Sequence, residues 1–250
     1  MLFETNLNTI YRFKTPNTGD LMCSPSLYFD LPRNKKIDIL DSDYYSSGNC
    51  IVGGGGIIHF KSRIKEVLDK CKAKNGKMAI WGAGHNIHKE LFNFSFPSWI
   101  REVDLVGIRD ISDEFEWVPC ASCMHPIFDE KFQVIRQFGF YGHYAIPVEG
   151  VKFEIFNNED FVKAITYLAQ SELIITNSYH GVYWSTLLGK KVLAYPFSTK
   201  FFKMKHPPVL LSKNDSWSKN ISFAKNYPNA LHECKNANLN FYESIKKLFA

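Results

Sequence analysis

The chain has 250 residues, enough for one large domain or two small ones. Its 45% hydrophobic and 22% charged residues are ordinary for a globular protein and exclude a disordered or fibrous chain. A net charge of +5, spread as isolated lysines and pairs such as Lys35-Lys36, Lys190-Lys191 and Lys246-Lys247, excludes the dense basic footprint of a nucleic-acid binder, while a basic cleft for an anionic substrate still fits. No apolar run is long enough to span a membrane. Met1 to Tyr11 lacks the charged-then-apolar pattern of a signal peptide, so the expected location is the cytoplasm. The six cysteines are then expected as free thiols. The 21 Phe and 12 Tyr predict a well-filled core or aromatic-lined clefts.

In chain order, Asn17-Thr-Gly-Asp20 comes first, where Gly19 supports a tight turn and Asp20 can cap the segment after it. Lys36 to Leu40 and Cys50 to Val52 read as short strands, the second running into Gly53-Gly-Gly-Gly56. Gly54, Gly55 and Gly56 make either a plain tight turn or a backbone nest for an anion. Ile64, Val67, Leu68 and Cys71 share one helical face that ends near Gly76. Met78 to Trp81 is the next strand, and His85 stands in its exit loop, where open α/β sheets place their chemistry. Val103 to Ile108 is another strand. Arg109 after it either pairs with Asp110 or grips a carboxylate through two parallel hydrogen bonds.

Cys120 and Cys123 form a single CxxC with His125 nearby, three potential zinc ligands without an obvious fourth; no metal site is expected. Phe132 to Arg136 and Phe138 to Tyr141 are aromatic-rich and strand-like, and a domain change is expected between Glu130 and Gln137. His143 leaves the second of these runs. Phe153 to Phe156 is a short strand, with Asn157 or Asn158 as cap of a helix whose buried face is Phe161, Val162, Ile165, Leu168 and Ala169.

The most informative stretch is Leu173 to Leu188. Leu173, Ile174 and Ile175 read as a buried parallel strand, Thr176, Asn177 and Ser178 as a turn and cap, and Val182, Tyr183, Thr186 and Leu187 as a helix. His180 and Gly181 lie at the join, where free amides and the helix dipole favour a phosphate or carboxylate. His180 there is a candidate acid or base, and a bound anion would raise its pKa. Val192 to Ala194 is a further strand. Lys200 lies in the loop beyond it, Pro207 to Trp217 is loop-like, and apolar positions from Leu231 to Leu248 predict a closing helix.

Asn177-Ser-Tyr-His-Gly181, followed by Leu187-Leu-Gly-Lys-Lys-Val-Leu-Ala194, resembles the signature of the polysaccharide pyruvyl transferase family. The resemblance is strong from Phe153 to Lys200. It implies an α/β fold of two Rossmann-like doubly wound domains in a GT-B-like arrangement: an acceptor-side domain over 1–133 and a donor-binding domain with the closing helix over 134–250. It further implies transfer of pyruvyl from phosphoenolpyruvate, as co-substrate and with no cofactor, to two hydroxyls of a sugar. The acceptor would be a sugar or lipid-linked glycan, met in the cytoplasm or at the inner face of the membrane. On this reading His180 is the acid–base residue and His85 or His143 the second proton-transfer group. Asn177, Ser178, Tyr179 and Gly181 contact the donor, Arg109 and Lys200 supply cations, and Asn17, Gly19, Asp20 and Gly54 to Gly56 line the acceptor side. Two departures stand out: Ser178 occupies a position where many members carry Arg, and the chain is short for the family. His125-Pro126 also replaces a common Asp-Pro pair.

Other readings use the same residues differently. A glycosyltransferase on the same fold would use a nucleotide-sugar, with Glu149 or Glu172 on the ribose or donor sugar. A glycan- or nucleotide-binding protein would keep the fold without catalysis, and a zinc or redox protein would rest on Cys120 and Cys123.

Overall fold

The computed structural model describes residues 7–31, 35–46 and 48–250; the reading of Met1 to Tyr11 therefore lies partly outside the described residues. The first unit runs β1 (Leu7–Tyr11), α1 (Thr18–Leu21), β2 (Lys36–Asp38), β3 (Asn49–Gly53), α2 (Lys61–Lys72), β4 (Met78–Ala83), β5 (Leu105–Ile108) and β6 (Glu116–Trp117). The second runs β7 (Arg136–Gly142), β8 (Ile155–Phe156), α3 (Phe161–Ala169), β9 (Ser171–Thr176), α4 (Tyr179–Leu187), β10 (Lys191–Ala194) and β11 (Val209–Leu210), followed by α5 (Ala230–Phe249). Each unit builds one parallel sheet, in the orders β2-β1-β3-β4-β5-β6 and β11-β10-β9-β7-β8. The chain is thus α/β with two parallel sheets.

Alternation along the strands splits the first core into two layers. Cys50 and Val52 with Met78 and Ile80 face α2, where Ile64, Val67, Leu68 and Cys71 form the buried stripe expected from their spacing. Ile51, Ala79 and Trp81 face the other way and are covered by Phe241, Ile245 and Phe249 of α5. The closing helix, expected with the second unit, thus lies across the first sheet, and Trp81 Nε1 donates to Asn238 Oδ1 at 2.8 Å. In the second unit α3 and α4 cover one face of the sheet, against Ile174. Leu173 and Ile175 meet Trp217 and Ile221 on the other.

Local chemistry places the helix starts. Asp160, rather than Asn157 or Asn158, caps α3 by accepting from the Lys163 amide. Asn17, rather than Asp20, caps the short α1 by accepting from the Gly19 amide at 3.0 Å. Ser178 caps α4 as its sequence setting suggests. Phe132 to Ile135 stays outside β7, and the two-residue β11 arises inside the stretch read as loop.

In both sheets the first strand lies between the second and third (β1 between β2 and β3; β7 between β8 and β9). The chain direction reverses its winding at β1/β3 and at β7/β9, and ligands of open α/β sheets bind at such switch points, beyond the carboxyl ends of the strands. The two units meet there. The Thr18 amide donates to the Asn157 carbonyl at 2.8 Å, and the Thr18 hydroxyl to the Glu159 carbonyl. Thr199 and Ile87 exchange a backbone and a side-chain bond, each 2.9 Å, and the Ile111 amide donates to the Lys203 carbonyl at 2.7 Å.

Candidate active site

A cavity of about 260 Å³ lies between the units. Every residue lining it follows the carboxyl end of a strand. Asn17 and Asp20 follow β1, Gly56 follows β3, Asn86 and His88 follow β4, and Arg109 follows β5. From the other sheet come His143 to Ile146 after β7, Asn157 after β8, Ser178 to His180 after β9, and Phe197 and Lys200 after β10. Two switch points therefore open on one cleft.

His180 is only 4% exposed, yet what remains lies on the cleft. Its ring packs against the facing unit so tightly that a Cβ on Gly19 would fall 1.9 Å from Nδ1. On its far edge Nε2 is 3.6 Å from Cys120 Sγ. Burial, then Arg109, then Lys200 push the His180 pKa well below its ordinary value, so the ring is neutral at physiological pH. An acid role then depends on a bound anion offsetting those cations.

Arg109 is 3% exposed and spans the junction: its guanidinium lies 3.9 Å over the Tyr179 ring of the other unit. Nη2 donates to the His85 carbonyl at 3.3 Å, and Nε has no hydrogen-bond partner. Asp110 Oδ1 stands 3.9 Å from Nε, so the ion pair that the Arg109-Asp110 sequence allows is formed, but at a distance too long for a hydrogen bond. The ammonium of Lys200 lies 4.6 Å over the Phe197 ring, without a carboxylate in salt-bridge range among the described residues. Burial lowers its pKa to about 8, partly countered by Asp20. Burial also raises the Asp20 carboxyl, against the pull of Lys200, Arg109 and Arg12. The cleft therefore carries two cations, one carboxyl with raised affinity for its proton, and a neutral imidazole.

Lys200 gives a two-sided pH prediction. Its folded pKa is depressed, so between about pH 8 and 10.5 the unfolded chain binds the extra proton. This group's contribution to stability then rises with pH across that window, by on the order of 2–3 kcal/mol after allowing for partial exposure. Affinity for an anion falls across the same window as the charge is lost. Denaturant melts and phosphate titrations from pH 7 to 10, on wild type and Lys200→Met, check both slopes; the variant should flatten both.

Other expected site residues are placed elsewhere. His85 is buried and does not line the cleft: Nδ1 and the backbone N–H both bond Asp110 Oδ2, at 2.8 and 2.7 Å, and Nε2 meets the Ser95 carbonyl at 3.4 Å. A strand-exit histidine between small residues looks the same whether it faces a ligand or, as here, a carboxylate 25 positions on. His85→Ala should cost about 2–3 kcal/mol of stability, since it strips a buried carboxylate of a partner. Turnover per folded molecule should change less than tenfold; a hundredfold loss at unchanged stability would restore the proton-transfer role.

Asn177 is likewise structural. Its Oδ1 accepts from the His143 amide at 2.7 Å and its Nδ2 donates to the Ile146 carbonyl at 2.6 Å, clamping the loop after β7. Gly181 faces Thr176 and Tyr141, where a Cβ would sit 2.4 Å from Thr176 Oγ1; it permits close packing and does not line the cleft. Gly54 and Gly55 have φ of +74° and +75°, and Gly54 presses on Cys23 while its amide donates to the Trp81 carbonyl at 2.8 Å. They shape the turn, and Gly56 alone of the three lines the cavity.

His143 does line the cleft, but burial, with Lys200 and His88, lowers its pKa to about 4, and Nδ1 accepts from the Ala145 amide at 3.2 Å. Ser178 and Tyr179 are at the cleft as expected. Asn86, His88, Tyr144 and Phe197 line it without having been singled out; the first two share the exit loop of His85, the signal that could have found them. Cys120 and Cys123 are buried free thiols, and among the described residues no three His, Cys, Asp or Glu side chains converge as a metal-binding set. No helix among the described residues is long and apolar enough to cross a membrane. Glu172 stands near the amino end of β9, away from the cleft.

No family model, no curated protein and no solved structure matches this chain.

Proposed function

We propose that the protein is a transferase of the pyruvyl-transfer type, with its two α/β units in a GT-B-like arrangement and phosphoenolpyruvate bound between them. The supporting observation is a cleft built wholly from strand carboxyl ends of both sheets, with Lys200 outside any carboxylate's reach among the described residues and Arg109 only in a long ion pair that leaves its Nε without a hydrogen bond, beside a neutral His180. One buried and one half-buried cation beside the amino end of α4 suit a small molecule carrying both carboxylate and phosphate. In this reading Lys200 takes over from the arginine that Ser178 replaces.

Asp20, with its raised carboxyl, takes the proton of the attacking sugar hydroxyl. His180, charged once the anion lies against it, protonates the methylene carbon of the donor. The sugar oxygen adds to C2, and the second hydroxyl then displaces phosphate from the same carbon, closing the ketal. One hydroxyl proton is balanced by the new methyl hydrogen and the other leaves with phosphate.

Cavity size favours this donor over a nucleotide-sugar: about 260 Å³ is below the ~300–1,000 Å³ of pockets that hold drug-sized ligands. The test is incubation with phosphoenolpyruvate and a panel of glycans bearing free vicinal or 4,6-diols. Phosphate release that depends on the glycan supports the reading, and release of nucleotide from a nucleotide-sugar instead overturns it.

A further inference from the structure

The hydrogen bonds behind His180 have a direction. Trp184 Nε1 lies 3.0 Å from Ser122 Oγ, and an indole N–H can only donate, so the serine oxygen accepts. Ser122 Oγ lies 3.2 Å from Cys120 Sγ, and Cys120 Sγ lies 3.6 Å from His180 Nε2. Ser122 and Cys120 are both fully buried.

Three proton arrangements are open to this row; one of them, in which Nε2–H and the Ser122 O–H both donate to Cys120 Sγ, leaves the S–H without an acceptor, and the other two differ in the direction of the Cys120–His180 bond. In one of these two, the Ser122 O–H donates to Cys120 and the Cys120 S–H donates to Nε2, so every proton has an acceptor. In the other, Nε2–H donates to Cys120 and the S–H turns to Ser122, which leaves the serine proton buried without an acceptor among the described residues. A buried, unpaired donor bears its full desolvation cost, so the arrangement in which every proton has an acceptor prevails. Tyr183 holds the row in place by donating its hydroxyl to the Cys120 carbonyl at 2.8 Å.

The other ring nitrogen, Nδ1, makes no hydrogen bond among the described residues and is not one of the buried polar atoms shut off from the cleft. A neutral imidazole carries one N–H, and with Nε2 accepting, that N–H is at Nδ1.

We propose that Cys120 is a positioning residue: in the anion-free protein its S–H fixes neutral His180 as the Nδ1–H tautomer, which presents a hydrogen-bond donor to an oxygen of the anion entering the cleft. The row Trp184, Ser122, Cys120, His180 crosses from α4 into the first unit and back, so the tautomer also depends on the two units being docked. This inference concerns any phosphate or carboxylate at the site and does not rest on phosphoenolpyruvate as donor. Its failure and that of the pyruvyl-transfer reading are therefore separate results.

The test is nitrogen NMR on histidine-labelled full-length protein, with His180 assigned by its loss in His180→Gln. In wild type, Nε2 should resonate as a pyridine-type and Nδ1 as a pyrrole-type nitrogen, and added inorganic phosphate should perturb the Nδ1–H signal first. Cys120→Ala should move the ring toward a mixture of tautomers, and Cys120→Ser, which keeps a donor at that place, should restore the wild-type pattern. A protonated Nε2 in wild type would overturn the assignment whether or not either variant folds. An Nδ1–H tautomer unchanged in Cys120→Ala would overturn the part given to Cys120.

Discussion

Replacing Arg109 with methionine should weaken anion binding at least tenfold while leaving the fold as stable as before, or more so. The guanidinium is buried at the junction of the units, with one hydrogen bond to a carbonyl, an Nε without a hydrogen bond, and a long 3.9 Å ion pair to Asp110, whose carboxylate His85 holds in any case. A desolvated charge so held contributes little to folding, and a flexible apolar side chain of similar length can replace it at no cost or with a gain. What it supplies is the positive charge on which a bound carboxylate or phosphate closes. Losing one such donor typically costs ~10²–10³-fold in turnover, and affinity for phosphate should fall by at least ten- to a hundredfold. Stability comes from denaturant melts and affinity from titration calorimetry. An Arg109→Met protein that melts several degrees lower but binds phosphate as wild type would show the residue to be a structural tie between the units.

Gly19→Ala should disable the site through geometry alone. Position 19 has no positive φ, so alanine meets no backbone penalty there. The obstacle is the His180 ring, whose Nδ1, Cγ and Cε1 would lie 1.9, 2.4 and 2.6 Å from the new methyl carbon. The ring cannot retreat without leaving Cys120, and α4 cannot retreat because all nine of its residues are buried. The alternative is for α1 to lift, breaking the bonds from Thr18 to Asn157 and Glu159 that join the units. Overpacking of this kind costs about 1–3 kcal/mol. Misplacing a reacting group by an ångström costs on the order of 10²-fold in rate. The expected result is a folded protein with a modestly lowered midpoint and turnover down by a hundredfold or more; wild-type turnover in Gly19→Ala would remove His180 from the chemistry.

The fold was legible where periodicity is strong. Met78 to Trp81 and Leu173 to Ile175 are apolar runs flanked by glycine or small polar residues, and both are central strands. α4 is buried on every side; its place was read from Ser178, from the strand before it and from the helical spacing of Val182, Tyr183, Thr186 and Leu187. β6 and β11, two residues each, carry no period to read. At the site, His180, His143, Arg109 and Lys200 were found because they follow strand ends. His85 satisfied the same rule and failed it, since the deciding partner, Asp110, is distant in sequence and adjacent only in the fold. Asn177 and Gly181 belong to the same motif as His180, yet one clamps a loop and the other makes room for Thr176, distinctions that rest on packing and not on residue type.

Thermal unfolding of the full-length protein at pH 7 with phosphoenolpyruvate, inorganic phosphate and a nucleotide-sugar, each at millimolar concentration, tests the cleft most directly. A ligand at a hundred times its Kd stabilises the fold by about 2.7 kcal/mol, a shift of several degrees. The prediction is a rise with phosphoenolpyruvate, a smaller one with phosphate, none with the nucleotide-sugar, and reduced rises with both anions in Arg109→Met. A rise with the nucleotide-sugar alone, or the same phosphoenolpyruvate shift in wild type and variant, would contradict it.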